Sequence, residues 1–147
     1  MIIPCIHFQG NCDDAINFYK EVFKAEVKAI NYAKDAPPDS GMEDLPPNFV
    51  MHSEVIICGT NFSLTDGSQT PVSSEHISFM VNYDTPEEVK LAFDKLAEGG
   101  KIVEALAPQF WSSLYGYVSD RFGVSWQVML NPKEIGPTES GFAKQNF

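Results

Sequence analysis

Cysteine is scarce in this chain: Cys5, Cys12 and Cys58 are all it has. Their number is odd, no Cys-x-x-C spacing occurs, and three thiols are too few to frame a disulfide scaffold. A reducing, cytoplasmic compartment fits that usage. Positive charge is short as well, with ten Lys and Arg against twenty Asp and Glu, a net charge of −10. No basic cluster is present to neutralise phosphates, which argues against nucleic acid and anionic membrane surfaces as partners. No stretch of eighteen apolar residues occurs, and "MIIPCIHFQG" carries neither a basic start nor a small-residue cleavage site. These features lead to the expectation of a soluble, untargeted protein.

At 147 residues the chain fits one compact domain with a core of its own, expected over 1–132 with a tail at 133–147. A short apolar run at 2–9 reads as a strand that stops at Gly10-Asn11. A helix follows, capped at Asn11 or Cys12, with Asp13 and Asp14 at its positive end and Ile16, Tyr19 and Phe23 at helical spacing. Strands are expected at 25–33, 48–59 and 60–67, the last two joined as a hairpin near Gly59-Thr60-Asn61. Between the first of these and the hairpin, "KDAPPDSGMEDLPP" (34–47) is too rich in proline to be a regular element.

After a polar linker at 68–75 the order begins again. "HISFMVNY" (76–83) alternates as a strand, with His76, Ser78 and Met80 on one face and Ile77, Phe79 and Val81 packing towards a helix. In "DTPEEVKLAFDKLAEGG" Thr85 caps the helix, Pro86 occupies its first turn and Glu88 completes a capping box. Val89, Ala92, Phe93 and Leu96 form its apolar stripe, and Gly99-Gly100 end it. Three strands complete the pattern at 101–110, 111–120 and 124–132. Strand, helix and three strands therefore occur twice, over about 2–67 and 76–131, as an internal duplication of a βαβββ unit.

This order, together with "FQGNCDDAINFYKEVFKAE", "VMHSEV", "FSLTDG" and "FWSSLYGYVSDRFGVSWQV", resembles the PhnB-like branch of the vicinal-oxygen-chelate superfamily, which includes glyoxalase I, bleomycin-resistance proteins and extradiol dioxygenases. The branch is sometimes labelled after a demethylubiquinone methyltransferase. No glycine-rich loop after a strand offers a nucleotide-type cofactor site to match that label. The resemblance spans about residues 1–131 and implies an α+β fold: two tandem βαβββ modules whose curved sheets surround a cleft, in a homodimer.

Metal-using members of the superfamily hold a divalent ion with four side chains, and the resemblance places those positions here at Pro4, Ser63, His76 and Gln127. Pro4 has no donor and the Ser63 hydroxyl is a weak one, so His76 is the one matching ligand. One imidazole does not hold a divalent ion in water. No cofactor is expected, and a divalent metal only through a displaced set of His52, Glu54 and His76. Two readings follow. The first is a binding protein that takes a small organic molecule in a cleft lined by Ser63, His76, Trp111, Gln127 and Met129. The second is an isomerase, lyase or dioxygenase in which His52 and Glu54 do acid–base work with His76. A strand-bridging pair is the structural alternative for His52 and Glu54, and a backbone-satisfied strand end is the alternative for His76. A third reading makes the acidic loop 34–47 a contact surface. His7, alternating with Pro4, Ile6 and Phe8, is assigned to packing, and Cys12 to the helix cap with its thiolate opposed by Asp13 and Asp14.

Overall fold

The computed structural model describes residues 1–67 and 75–132, and the chain divides into two compact units, Met1–Val72 and Ser73–Phe147. In the first, β1 (Cys5–Phe8) leads to α1 (Cys12–Phe23), β2 (Glu26–Tyr32), a single 3-10 turn (Ala33–Asp35), β3 (Val50–Ile57) and β4 (Thr60–Asp66). The second repeats the order with β5 (Phe79–Tyr83), α2 (Pro86–Ala97), β6 (Lys101–Gln109), β7 (Ser112–Ser119) and β8 (Ser125–Leu130). Each unit forms one mixed sheet, ordered β1-β4-β3-β2 in the first and β5-β8-β7-β6 in the second. β1 runs parallel to β4 and β5 to β8, and the other neighbours are antiparallel. The expected α+β duplication is thus present element by element. Most of the expected linker and the tail lie outside the described residues.

Helix α2 forms for local reasons. The Glu88 N–H donates to Thr85 Oγ1 at 3.3 Å while the Thr85 N–H donates to Glu88 Oε2 at 3.2 Å, so two amides at the helix start are satisfied reciprocally. Its buried stripe of Val89, Ala92, Phe93 and Leu96 packs on β7 and β8, where Val118, Trp126 and Val128 are buried. The approach is close: a Cβ on Gly116 would stand 2.5 Å from the Phe93 ring, so only a residue without a side chain fits there.

Helix α1 is capped from a distance. Asn11 makes no side-chain cap bond. Instead Asp66, at the end of β4 and 6% exposed, accepts the Gly10 N–H at 2.8 Å and the Cys12 N–H at 3.0 Å on Oδ1 and the Val50 N–H at 2.9 Å on Oδ2. A carboxylate at a helix N-terminus also meets the positive end of the dipole. The buried face of α1 includes Cys12, Ala15 and Phe18 beside the expected Ile16, Tyr19 and Phe23, and is therefore broader than the stripe read from spacing. Cys12 is fully buried, and burial first, then Asp66 and Asp13, pushes its thiol far up.

Several boundaries differ from expectation. The β3–β4 hairpin turns at Cys58-Gly59, with φ of 48° and 83°, one residue earlier than expected, because a two-residue hairpin loop needs positive φ at both central positions. Strand β5 begins only at Phe79, so His76 and Ile77 lie in a turn and bend before it, and Ile77 is 67% exposed where packing was expected. Trp111 belongs to the turn between β6 and β7, not to a strand. The 34–47 segment starts within the 3-10 turn and stays irregular. Its base is closed by the Ala33 N–H donating to the Phe49 carbonyl at 2.8 Å.

Candidate functional site

The turn "SDRFG" sets the strand that carries Gln127. Asp120, 4% exposed, accepts the Phe122 and Val124 N–H groups at 2.9 and 3.0 Å on Oδ1 and the Trp126 indole N–H at 2.9 Å on Oδ2. Gly123, at φ 86°, turns the chain and donates back to the Asp120 carbonyl at 2.9 Å. With Trp126 and Val128 committed to the helix side, alternation turns Gln127 and Met129 to the opposite face of β8.

On that face Gln127 is held at both ends. Its Nε2 donates to Ser78 Oγ at 2.7 Å, and its Oε1 accepts the Tyr115 hydroxyl at 2.7 Å. A glutamine has two amide hydrogens and two oxygen lone pairs, so one of each remains to be used. Tyr115 is 5% exposed, and its phenol is pushed up by burial, with Glu104 and Tyr117 adding to the effect. Trp111 stands edge-on to Tyr115 at 5.1 Å between ring centroids and to Phe110 at 4.5 Å. Met129, paired in register with Tyr115, is fully buried and forms part of the floor, with no surface presented to a ligand. His76 is exposed, in the turn before β5. Ser78, not His76, is the residue bonded to Gln127.

In the first unit the corresponding face is that of Ser63 on β4, half-buried and paired with Glu54 on β3. His52 lies two residues before Glu54, on the same face and opposite Asn31 of β2, and both His52 and Glu54 are exposed. The parallel register sets Cys5, not Pro4, beside Ser63 and His7 beside Thr65. His7 therefore lies on the Ser63 face, exposed, with its Nδ1 3.0 Å from Thr65 Oγ1 and its Nε2 3.6 Å from Cys5 Sγ. The packing role expected for His7 is corrected by that register. Ile6 and Phe8 are the ones that turn inward.

The four family ligand positions do not fit a divalent ion. Pro4 lacks a donor and falls out of phase with Ser63, and the Gln127 amide is engaged by Tyr115 and Ser78. Among the described residues no three His, Cys, Asp or Glu side chains are grouped so as to hold a metal. Sequence reasoning missed two partners. Tyr115 is buried and still bonds Gln127, and its place two strand positions from Tyr117, which pairs with Gln127, is the signal that points to it. His7 and Thr65 are 58 residues apart, and only the β1–β4 register joins them.

The family model described as 3-demethylubiquinone-9 3-methyltransferase matches residues 1–129. Protein YjdN of Escherichia coli (strain K12) is 32% identical over 148 residues, covering 92% of this chain and 97% of the relative. Among solved structures, protein PA1353 from Pseudomonas aeruginosa is similar with a TM-score of 0.76 at 27% identity, covering 90% of this chain and 98% of that one. The putative 3-demethylubiquinone-9 3-methyltransferase, PhnB protein, from Bacillus cereus is similar with a TM-score of 0.71 at 27% identity, covering 88% of this chain and 98% of that one.

Proposed function

Because the chain belongs to the PhnB-like family labelled 3-demethylubiquinone-9 3-methyltransferase, of the glyoxalase or vicinal-oxygen-chelate fold, we propose that it binds a small organic molecule without the metal centre of its metal-using relatives. The observation that carries this reading is the line Tyr115–Gln127–Ser78, in which the residue at the last ligand position is fixed as a hydrogen-bonding amide. The free N–H and lone pair of that amide are set to orient a polar group, with Trp111 offering a flat apolar wall beside it. His76, in the turn before β5, completes the polar groups assigned to the ligand. Met129 acts from below by supporting Tyr115.

The protein acts as a homodimer in this reading. Ile77, Met80 and Phe110 support it, being 67%, 48% and 69% exposed and too apolar to be left uncovered without cost. Cys5, Cys12 and Cys58 form no disulfide with one another, which supports a cytoplasmic setting. Native mass spectrometry of untagged protein purified without chelators tests the proposal. The expected result is an organic molecule released on denaturation of the wild type and lost from Gln127→Ala and Trp111→Ala. Retention of the same molecule by both variants contradicts the site.

A second reading rests on His52 and Glu54, an imidazole and a carboxylate exposed on one face of a central strand. In it Glu54 moves a proton on a bound substrate and His52 stabilises the charge that develops. Turnover of a family substrate abolished by either His52→Ala or Glu54→Ala favours this reading; turnover unchanged in both removes it.

A further inference from the structure

Strand β1 lies at the edge of its sheet and carries Cys5 and His7 on one face, since residues two apart on a strand point the same way. Cys5 Sγ is 3.6 Å from His7 Nε2, and His7 Nδ1 is 3.0 Å from Thr65 Oγ1. Cys5 and His7 are exposed, whereas Thr65 is 8% exposed and fixed in β4. A thiol, a base within reach of it and a third group that orients the base make up the arrangement of an activated sulfur nucleophile. From this we propose that Cys5, His7 and Thr65 form a nucleophilic thiol site that takes small α,β-unsaturated carbonyl compounds.

The fold itself does not call for these three residues. The Gly67 N–H donates to the Phe8 carbonyl as the Asn131 N–H does to that of Tyr83, which aligns the parallel ladders of the two units. In that alignment the second unit carries Met80, Asn82 and Met129 where the first has Cys5, His7 and Thr65. An equivalent pair of strands is therefore built without thiol, imidazole or hydroxyl.

The ring can serve in either tautomer. With the proton on Nδ1 and donated to Thr65 Oγ1, the Nε2 lone pair faces the thiol and takes its proton; with the proton on Nε2, the N–H is donated to sulfur. In the addition, a sulfur lone pair forms a bond to the β-carbon and the carbon–carbon π pair moves to the carbonyl as an enolate. The proton that left Cys5 for Nε2 is delivered to the α-carbon. No oxidant, reductant or leaving group is involved. Thr65 is a positioning residue, since it acts through the ring.

The other cysteines supply internal references. Cys58 is exposed in the β3–β4 turn, and Cys12 is buried. The experiment treats the whole protein with limiting N-ethylmaleimide and follows each cysteine by peptide mass spectrometry. Cys5 is expected to react about a hundredfold faster than Cys58, the low end of what a positioned base contributes. His7→Gln should bring Cys5 to the rate of Cys58 without altering Cys58, and Thr65→Val should produce an intermediate rate. Protection of Cys12 reports that each variant is folded. Equal rates at Cys5 and Cys58 in the wild type overturn the proposal whether or not the variants fold, as does a Cys5 rate indifferent to His7→Gln in a variant that still protects Cys12.

Discussion

Gln127 Nε2, on β8, donates at 2.7 Å to Ser78 Oγ, one residue before the parallel strand β5, while the Tyr115 hydroxyl holds the other end of the same amide at 2.7 Å. The position at which metal-using members of the superfamily are expected to place a ligand is thus tied into a hydrogen-bonded line. Removing the amide leaves Tyr115, a largely buried phenol, without its acceptor.

For Gln127→Ala the expected loss is about 1–1.5 kcal/mol of ligand affinity, equivalent to roughly tenfold in Kd, from the hydrogen bonds the amide supplies. Calorimetric titration of the co-purified molecule into wild type and variant checks it. Tyr115→Phe should weaken binding less, because it leaves the amide in place and frees its oxygen.

Asp66→Ala should be among the most destabilising changes in the first unit. Three N–H groups, the buried ones of Cys12 and Val50 and the part-buried one of Gly10, lose their acceptor together. A cost of about 2–4 kcal/mol is expected from unsatisfied buried donors and a lost helix cap. Urea unfolding measures it, with Asp66→Asn falling between variant and wild type because one acceptor oxygen survives.

Gly116→Ala should cost about 1–3 kcal/mol by overpacking, since its Cβ would stand 2.5 Å from the Phe93 ring. Phe93→Leu, itself a core truncation, should make the alanine less harmful. A double-mutant cycle by thermal or urea unfolding reads that coupling, and additive effects would show that the helix shifts instead.

Alkaline pH should loosen the first unit through Tyr32. Its hydroxyl donates to Asp13 Oδ1 at 2.6 Å, and that bond first, then burial, pushes its pKa up to about 12 from 10.0. The folded state holds the phenol proton where the unfolded state has released it. The stabilisation is fully present below about pH 10 and is lost as pH rises through about 12. Urea midpoints across that window should fall more steeply for wild type than for Tyr32→Phe, while Cys12, raised in the same direction, contributes equally to both.

What was legible in the sequence was local. Thr85, Pro86 and Glu88 announce helix α2 because a capping box is closed within four residues. The cap of α1 was not legible, since Asp66 reaches Gly10 and Cys12 across more than fifty residues. Strand alternation was read with the right period, but the face of β1 depends on its pairing with β4. That pairing puts Cys5 in phase with Ser63 and leaves Pro4 out of phase. His76 was placed on a strand by the alternation of "HISFMVNY", yet regular pairing begins only at Phe79. Gln127 is marked by the resemblance; its partners come from β7 (Tyr115) and from the approach to β5 (Ser78), positions that no local pattern joins.

Metal content is the sharpest discriminator for the site. Untagged protein is dialysed against manganese and zinc salts, exchanged into metal-free buffer and subjected to elemental analysis beside Gln127→Ala and His76→Ala. The expected result is no retained ion above the level of either variant. One divalent ion per chain in the wild type, lost on substitution of Gln127 or His76, would contradict the organic-ligand site and restore the chelating one.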